Sequence, residues 1–304
     1  MDILIVYRGI FPSHTASSKR LVNYLKALHY EHHNPIVMPV FIKVRNNYLD
    51  FVISLIIPVL VFFKILREGG GISVVFVYGP GWIFKLAAVT ASKIIRKPVA
   101  TEVNEKPYSI RGGGRREKYS KHFISLNRKC LELIVYPMFD GFIVISESLV
   151  EYVRRFSKKK ALIIKIPILV DFNFYQKSIQ KPECNMPYLI NTAALNNHKD
   201  GIVNVFKAFA RIINSGINLH FYLTSRVAPK MLLDEIDSII LRNNLEKRVT
   251  YLGELDEDLL LSYQAYCCMV VLNKVDGEQN KYNFATKLGE YMALGKPIIT
   301  TSIG

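Results

Sequence analysis

The sequence lacks most of what would mark a secreted, metal-stapled or membrane-spanning chain. Its four cysteines, Cys130, Cys184, Cys267 and Cys268, form no C-x-x-C pair in 304 residues, which argues against a disulfide framework or a zinc ribbon. Cys267 and Cys268 stand in the apolar run "CCMVVL" and are expected to be reduced and buried in a strand of a cytosolic protein. Seven histidines are scattered, with only His32 and His33 adjacent, so no metal-ligand spacing appears and no metal is expected. The amino terminus, "MDILIVYRGIFP", has neither a basic leader nor a small-residue cleavage site, and no export signal is expected. The longest apolar run, "FVISLIIPVLVFFKIL" from Phe51 to Leu66, is interrupted by Ser54, Pro58 and Lys64. It falls short of the ~20 apolar residues of a spanning helix and predicts a buried or half-inserted one. Also missing are a G-x-G-x-x-G after a strand, a P-loop and a G-x-S-x-G elbow, which argues against a dinucleotide dehydrogenase, a P-loop NTPase and an α/β-hydrolase.

What is present is enough apolar material for ordinary cores: 50% hydrophobic and 12% aromatic residues with 21% charged. The charge is divided unevenly. Residues 1–167 hold 26 Lys and Arg against 11 Asp and Glu, whereas residues 168–304 hold 14 of each. Basic residues interleave with aromatics in "YSIRGGGRREKYSKHF" and cluster again in "RRFSKKK", which predicts a surface for anions in the first half. No nucleic-acid module is visible, and the nearby apolar run favours an anionic membrane surface over nucleic acid as the partner.

Strand-like runs alternate with helix-length segments along the chain, the pattern of parallel α/β sheets. Six fall in the first half: "ILIVY", "NPIVMPV", "SVVFVY", "PVATEV", "GFIVIS" and "ALIIKI". Five more, "YLINTA", "NLHFYLT", "RVTYLG", "CCMVVLN" and "PIITT", follow a stretch punctuated by Pro167, Pro182 and Pro187. Two tandem Rossmann-like domains are predicted: residues 1–170, a linker over 171–186, and residues 187–304. Ligands of such folds bind beyond the carboxyl ends of the strands, so the cleft between the domains is the expected site.

Near the end of the chain, Phe284, Leu288, Tyr291 and Met292 fall at i, i+4, i+7 and i+8, predicting the buried stripe of a helix from about Ala285 to Leu294. Gly295 is its expected left-handed cap. Asn283, Lys287 and Glu290, at i, i+4 and i+7, would share a neighbouring face. Taken alone this is either a grip for a polar ligand or a solvated face with a weak Lys–Glu pair. Glu102 and Glu105 in "TEVNEKPY", just past a predicted strand, and His14 after the first strand are further candidates for orienting a substrate.

The succession "FDGFIVISESLVEYV", "KIPILVDFNFY", "AALNNHKDGIVNVFKAF", "VTYLGEL" and "NKYNFATKLGEYMALGKPIITT" resembles bacterial family 4 glycosyltransferases of the GT-B fold. The resemblance runs over essentially the whole chain, and the last two blocks are its specific part. It implies retaining, metal-independent hexosyl transfer without a cofactor. The donor, a nucleotide-diphosphate sugar with UDP preferred on family frequency alone, would lie on the second domain. A saccharide or lipid-linked acceptor would lie on the first. Surface polysaccharide synthesis at the inner face of the cell membrane is the implied setting.

Carried over by position, Glu290 matches the carboxylate that accepts hydrogen bonds from the ribose hydroxyls, and Lys199 the ammonium that meets the diphosphate. Lys287, Asn283 and Phe284 would line the same donor site, with Lys199 and Lys287 stabilising the departing phosphate. In the first domain Glu102 and Glu105 would orient the acceptor. Two positions depart from the family pattern: Tyr282 stands where a Glu is frequent, and "AALNN" lacks the usual arginine. A difference between branches accounts for both, and a scaffold subunit of the same shape with weakened chemistry is the alternative. After "PIITT" the family continues with a further strand and a terminal helix, so the second domain is expected to be incomplete.

Overall fold

The structure, a computed structural model, describes residues 1–302 apart from 14, 42–46, 108–120, 177–178 and 185. His14 and the glycine run at 112–114 lie outside the described residues. Among the described residues, one unit comprises everything up to Leu169 together with Tyr282–Phe284. The other comprises Val170–Lys281 and the chain from Ala285 on.

The first unit is built on a six-stranded sheet: β1 (Asp2–Tyr7), β2 (Asn34–Pro39), β3 (Val74–Tyr78), β4 (Val99–Val103), β5 (Gly141–Val144) and β6 (Leu162–Lys165). All neighbours are parallel, in the order β2-β1-β3-β4-β5-β6. The chain leaves β1 in one direction for β2 and returns past it for β3, so the topology reverses between β1 and β3. Burial explains why these runs are nearly continuously apolar: Leu4 and Val6 enter the core on one face while Ile3, Ile5 and Tyr7 enter the core on the other. The helices are α1 (Ala16–Tyr30), α2 (Asn47–Glu68), α3 (Trp82–Ile94), α4 (Lys121–Cys130) and α5 (Glu147–Phe156). Their ends follow local chemistry. Thr15 caps α1 by accepting from the Ser18 amide, and Ser146 caps α5 by accepting from that of Leu149.

The apolar run expected to be a buried or half-inserted helix is the body of α2. Among the described residues no helix is long and apolar enough to cross a membrane. Ile57, Val61 and Ile65 are buried in the core, whereas Ile56, Val59, Leu60 and Phe63 are exposed.

The second unit carries five parallel strands, β7 (Tyr188–Asn191), β8 (His220–Leu223), β9 (Val249–Tyr251), β10 (Met269–Leu272) and β11 (Ile298–Thr300), ordered β11-β10-β7-β8-β9. Here the reversal lies between β7 and β10. The helices are α6 (Phe172–Tyr175), α7 (Asn197–Asp200), α8 (Ile202–Asn214), α9 (Lys230–Arg242), α10 (Glu257–Tyr266), α11 (Glu278–Lys281) and α12 (Thr286–Ala293). Phe206 and Phe209 of α8 close on Phe221 of β8 with ring centroids 5.4 Å apart in each pair, forming one core. Tyr188, Ile190, Val270 and Tyr291 form the core of the other face.

Three expectations need correction. Cys267 is buried but Cys268 is exposed, because β10 begins one residue later and the pair straddles its entrance. Met292 is 65% exposed, so the buried stripe of α12 narrows to Tyr291 with the half-buried Leu288. Asn283 and Phe284 precede α12 and do not share its helical face with Lys287 and Glu290. The cause is local: Ala285 holds extended backbone at φ −72°, ψ 99°, and the Asn283 side chain accepts from the Phe284 amide at 2.8 Å, an arrangement that competes with helix. Gly295, at φ +65°, is the left-handed residue expected after the helix.

Candidate functional site

In an open parallel sheet the loops leaving the strands on either side of a reversal part company, and a crevice opens between them. In the second unit those strands are β7 and β10, and the residues that follow them carry the charged candidates.

The β7 side is a short, tightly specified turn. Asn196 caps α7 by accepting from the Lys199 amide at 2.8 Å. The helix stops after one turn because Gly201 takes the left-handed φ of +54°. A Cβ there would also lie 2.6 Å from the Asn273 amide nitrogen, so only glycine fits. Asn273, at the end of β10, donates to the Asp200 carbonyl at 2.8 Å. Buried Asn280 donates to the carbonyls of Lys199 and Val275, both at 2.7 Å. Lys199 is therefore held through its backbone from two directions. Its half-buried side chain makes no ion pair among the described residues. Lys274, by contrast, is spent on Asp200.

On the β10 side, α12 is anchored by Tyr291, whose hydroxyl lies 3.1 Å from Thr192 Oγ1 beyond the end of β7. Burial pushes that phenol up to about 12, so it stays a neutral partner. The next residue back, Glu290, is half-buried; Gln264 of α10 donates to its Oε2 at 3.5 Å, and it makes no ion pair among the described residues. The Tyr175 hydroxyl of α6 lies close enough that burial, then the Glu290 and Glu257 carboxylates, raise it above the ordinary phenol range. Lys287 is half-buried one turn before Glu290. Asn283 and Phe284 group with the first unit, where Phe284 packs on the core and Tyr282 stands edge-on to Tyr152 with Lys106 4.9 Å from its ring centroid.

In the first unit, Glu102 ends up differently from a solvent-facing acid. It is 6% exposed, and its Oε1 accepts from Arg20 Nε at 2.5 Å and from the Tyr24 hydroxyl at 3.2 Å, while Oε2 is buried with no partner among the described residues. Burial raises its carboxyl against the pull of Arg20. Arg20 also donates to the carbonyls of Ile166 and Pro167 at 2.8 and 2.6 Å, so this cluster ties α1 to β4 and to the exit from β6. Lys85 of α3 is buried beside it, donating to Thr101 Oγ1 and to the Glu102 carbonyl. Desolvation pushes its ammonium down to about 7. Glu105 is half-buried in the loop after β4 and makes no ion pair among the described residues.

Sequence reading did not single out Asn273, Asn280, Tyr291 or the Arg20–Tyr24 pair. The asparagines were visible in "VVLNK" and "EQNKYN", but an amide that braces a backbone 73 or 81 residues away leaves no periodic trace. Among the described residues no three His, Cys, Asp or Glu side chains gather as a metal would require.

Residues 186–304 match the model of the family described as Glycosyl transferases group 1. No curated protein matches the chain in sequence. Solved structures do match in fold. A glycosyltransferase from Rickettsia africae aligns with a TM-score of 0.69 at 14% identity, covering 100% of this chain and 79% of its own. Sucrose-phosphate synthase from Thermosynechococcus elongatus aligns at 0.68 and 15%, covering 100% and 82%. HepE from Anabaena, solved in complex with UDP-glucose, aligns at 0.63 and 14%, covering 100% and 81%. The chain thus has the fold of GT-B glycosyltransferases, two Rossmann-like halves with parallel sheets, and its second half is similar in sequence to the group 1 family.

Proposed function

We propose that the protein is a retaining glycosyltransferase of family 4 that moves a hexosyl unit from a nucleotide-diphosphate sugar to a saccharide or lipid-linked acceptor. The observation that carries this reading is the crevice at the β7/β10 reversal. A lysine braced through its backbone and a half-buried glutamate, neither in an ion pair among the described residues, stand on the loops that flank it. The family match over residues 186–304 spans both, and HepE, which shares the fold, binds UDP-glucose.

The roles follow from charge and hydrogen-bonding capacity. A carboxylate accepts from two neighbouring hydroxyls at once, which suits Glu290 to a ribose. Departure of a nucleoside diphosphate builds negative charge, and ammonium groups stabilise it; Lys199 and Lys287 take that task. Asn283 and Phe284 flank the donor from the segment before α12. Glu105 is free to orient the acceptor, whereas Glu102, with its carboxylate enclosed, serves as a positioning residue through Arg20. The mechanism assigned needs neither a metal nor a cofactor, and UDP is the preferred base. The setting is surface polysaccharide synthesis in a bacterium, at the cytoplasmic face of the membrane, with no nucleic-acid partner.

A thermal-shift panel of UDP-, GDP-, ADP- and dTDP-sugars tests the donor site. One donor class raises the melting temperature of the parent and not of Glu290→Ala; no donor-dependent rise in the parent sinks the assignment. Tyr282 favours a second reading, a scaffold subunit of the same shape, because an aromatic fixed between Tyr152 and Lys106 offers no carboxylate to a sugar. Donor turnover into acceptor or water separates the two.

A further inference from the structure

A helix that is apolar on every side belongs in a core or against lipid. α2 is such a helix, yet only one of its faces is covered. Ile57, Val61 and Ile65 are at most 6% exposed, while Ile56, Val59, Leu60 and Phe63, spaced i, i+3, i+4 and i+7, are 43–63% exposed. Phe41, just beyond the edge strand β2, is also half-exposed, at 49%. Between the end of β2 and α2 runs a groove of about 420 Å³ lined by Pro39, Val40, Phe41, Leu60 and Phe63, with Lys64 and Arg67 on its wall and no acidic side chain. Arg67 meets Glu68 at 3.1 Å, but both are largely in solvent, and such pairs hold weakly.

We infer that this face of α2 is the surface by which the protein docks on an anionic phospholipid bilayer. The apolar row enters the acyl region, and Lys64 and Arg67 meet lipid phosphates beside the groove. Charge complementarity selects this occupant. The lining cations match the excess of 26 basic over 11 acidic residues in the first 167, and a second copy of the same basic surface would be repelled. Aliphatic and aromatic groups flanked by lysine and arginine are what an interfacial helix presents to a membrane. The inference deepens the proposed function by naming its membrane partner and rests on that reading for its biological sense.

The test is co-sedimentation of the full chain with vesicles of phosphatidylcholine alone and of phosphatidylcholine with phosphatidylglycerol. The parent binds the anionic vesicles, and releases as salt rises. Leu60→Glu/Phe63→Glu lowers binding at least tenfold, and Lys64→Gln/Arg67→Gln lowers it about five-fold per cation at low salt, which keeps the test alive if the first pair disturbs folding. Equal binding of parent and both variants, equal binding to neutral and anionic vesicles, or no binding by the parent overturns the inference. So does a parent dimer in light scattering that the Leu60/Phe63 pair dissolves without any vesicle binding, which assigns the face to a second copy. Donor stabilisation without vesicle binding overturns the docking surface alone; vesicle binding without donor stabilisation overturns the transferase reading alone.

Discussion

The two units solve the same topological problem with opposite electrostatics. In the first, the polar side chains near the strand ends are turned inward and satisfied by one another: Arg20 with Glu102 and Tyr24, Lys85 with Thr101. In the second, the strand-end charges Lys199 and Glu290 stay half-exposed and outside ion pairs among the described residues, while their neighbours do the bracing. An inward, paired charge holds architecture, and removing one partner strands the other in low dielectric. An outward, unpaired charge adds little to stability and is available to a ligand. The comparison therefore separates residues whose loss unfolds the protein from residues whose loss empties a site.

The largest effect expected is in the first unit. Arg20→Met leaves the Glu102 carboxylate buried without its counter-charge and costs about 3–5 kcal/mol in urea unfolding; Arg20→Met/Glu102→Gln recovers much of that loss. If the single substitution is mild, the inward cluster is not what ties α1 to β4.

Lys85 sharpens the same contrast through pH. Its folded pKa of about 7 lies below the ordinary lysine value of 10.5, so between those two values the unfolded chain binds the extra proton and stability rises with pH. The burial penalty is fully present below pH 7 and lifts as the pH climbs toward 10. Lys85→Met removes it, so the variant's stability relative to the parent falls by on the order of 2–4 kcal/mol from pH 7 to pH 10. Parallel stability curves of parent and variant over that range break the argument.

A smaller change in stability but a larger one in binding is expected in the second unit. Lys199→Met weakens UDP binding by about ten- to a hundred-fold, the worth of a hydrogen bond to a charged group, and leaves uridine binding and the donor-free melting temperature nearly unchanged. Calorimetric titration with both ligands measures it; equal losses for the two would remove Lys199 from the diphosphate. Smallest is the pair on α12. Tyr291→Phe loses the Thr192 partner and about 1 kcal/mol, whereas Met292→Ser, at an exposed position, stays within about 0.5 kcal/mol; chemical denaturation ranks them.

The order of elements was legible throughout, because period-2 apolar runs such as "ILIVY" and "SVVFVY" between helix-length segments have few other solutions than parallel strands. Each of the eleven predicted runs contains one of β1 to β11, trimmed by up to two residues at an end. Legibility failed where a side chain could satisfy local backbone in another way. Asn283 and Ala285 delay the start of α12, so two of the residues assigned to one helical face precede it. Met292 reads as a stripe residue by spacing, yet α12 presents it to solvent. Glu102 and Glu105 stand three residues apart in one loop motif, and only the fold distinguishes the enclosed acid from the open one.

What the sequence determined by itself is the α/β class, the two-part division, the eleven strands and the identity of the charged residues near their ends, since periodicity and composition are properties of the chain read in order. What only the tertiary structure decided is which charges face each other: Arg20 meets Glu102 across 82 positions, Asn280 meets Lys199 across 81, and α2 keeps one apolar face uncovered. Pairing and burial depend on distances between elements far apart in sequence, and no local pattern encodes those.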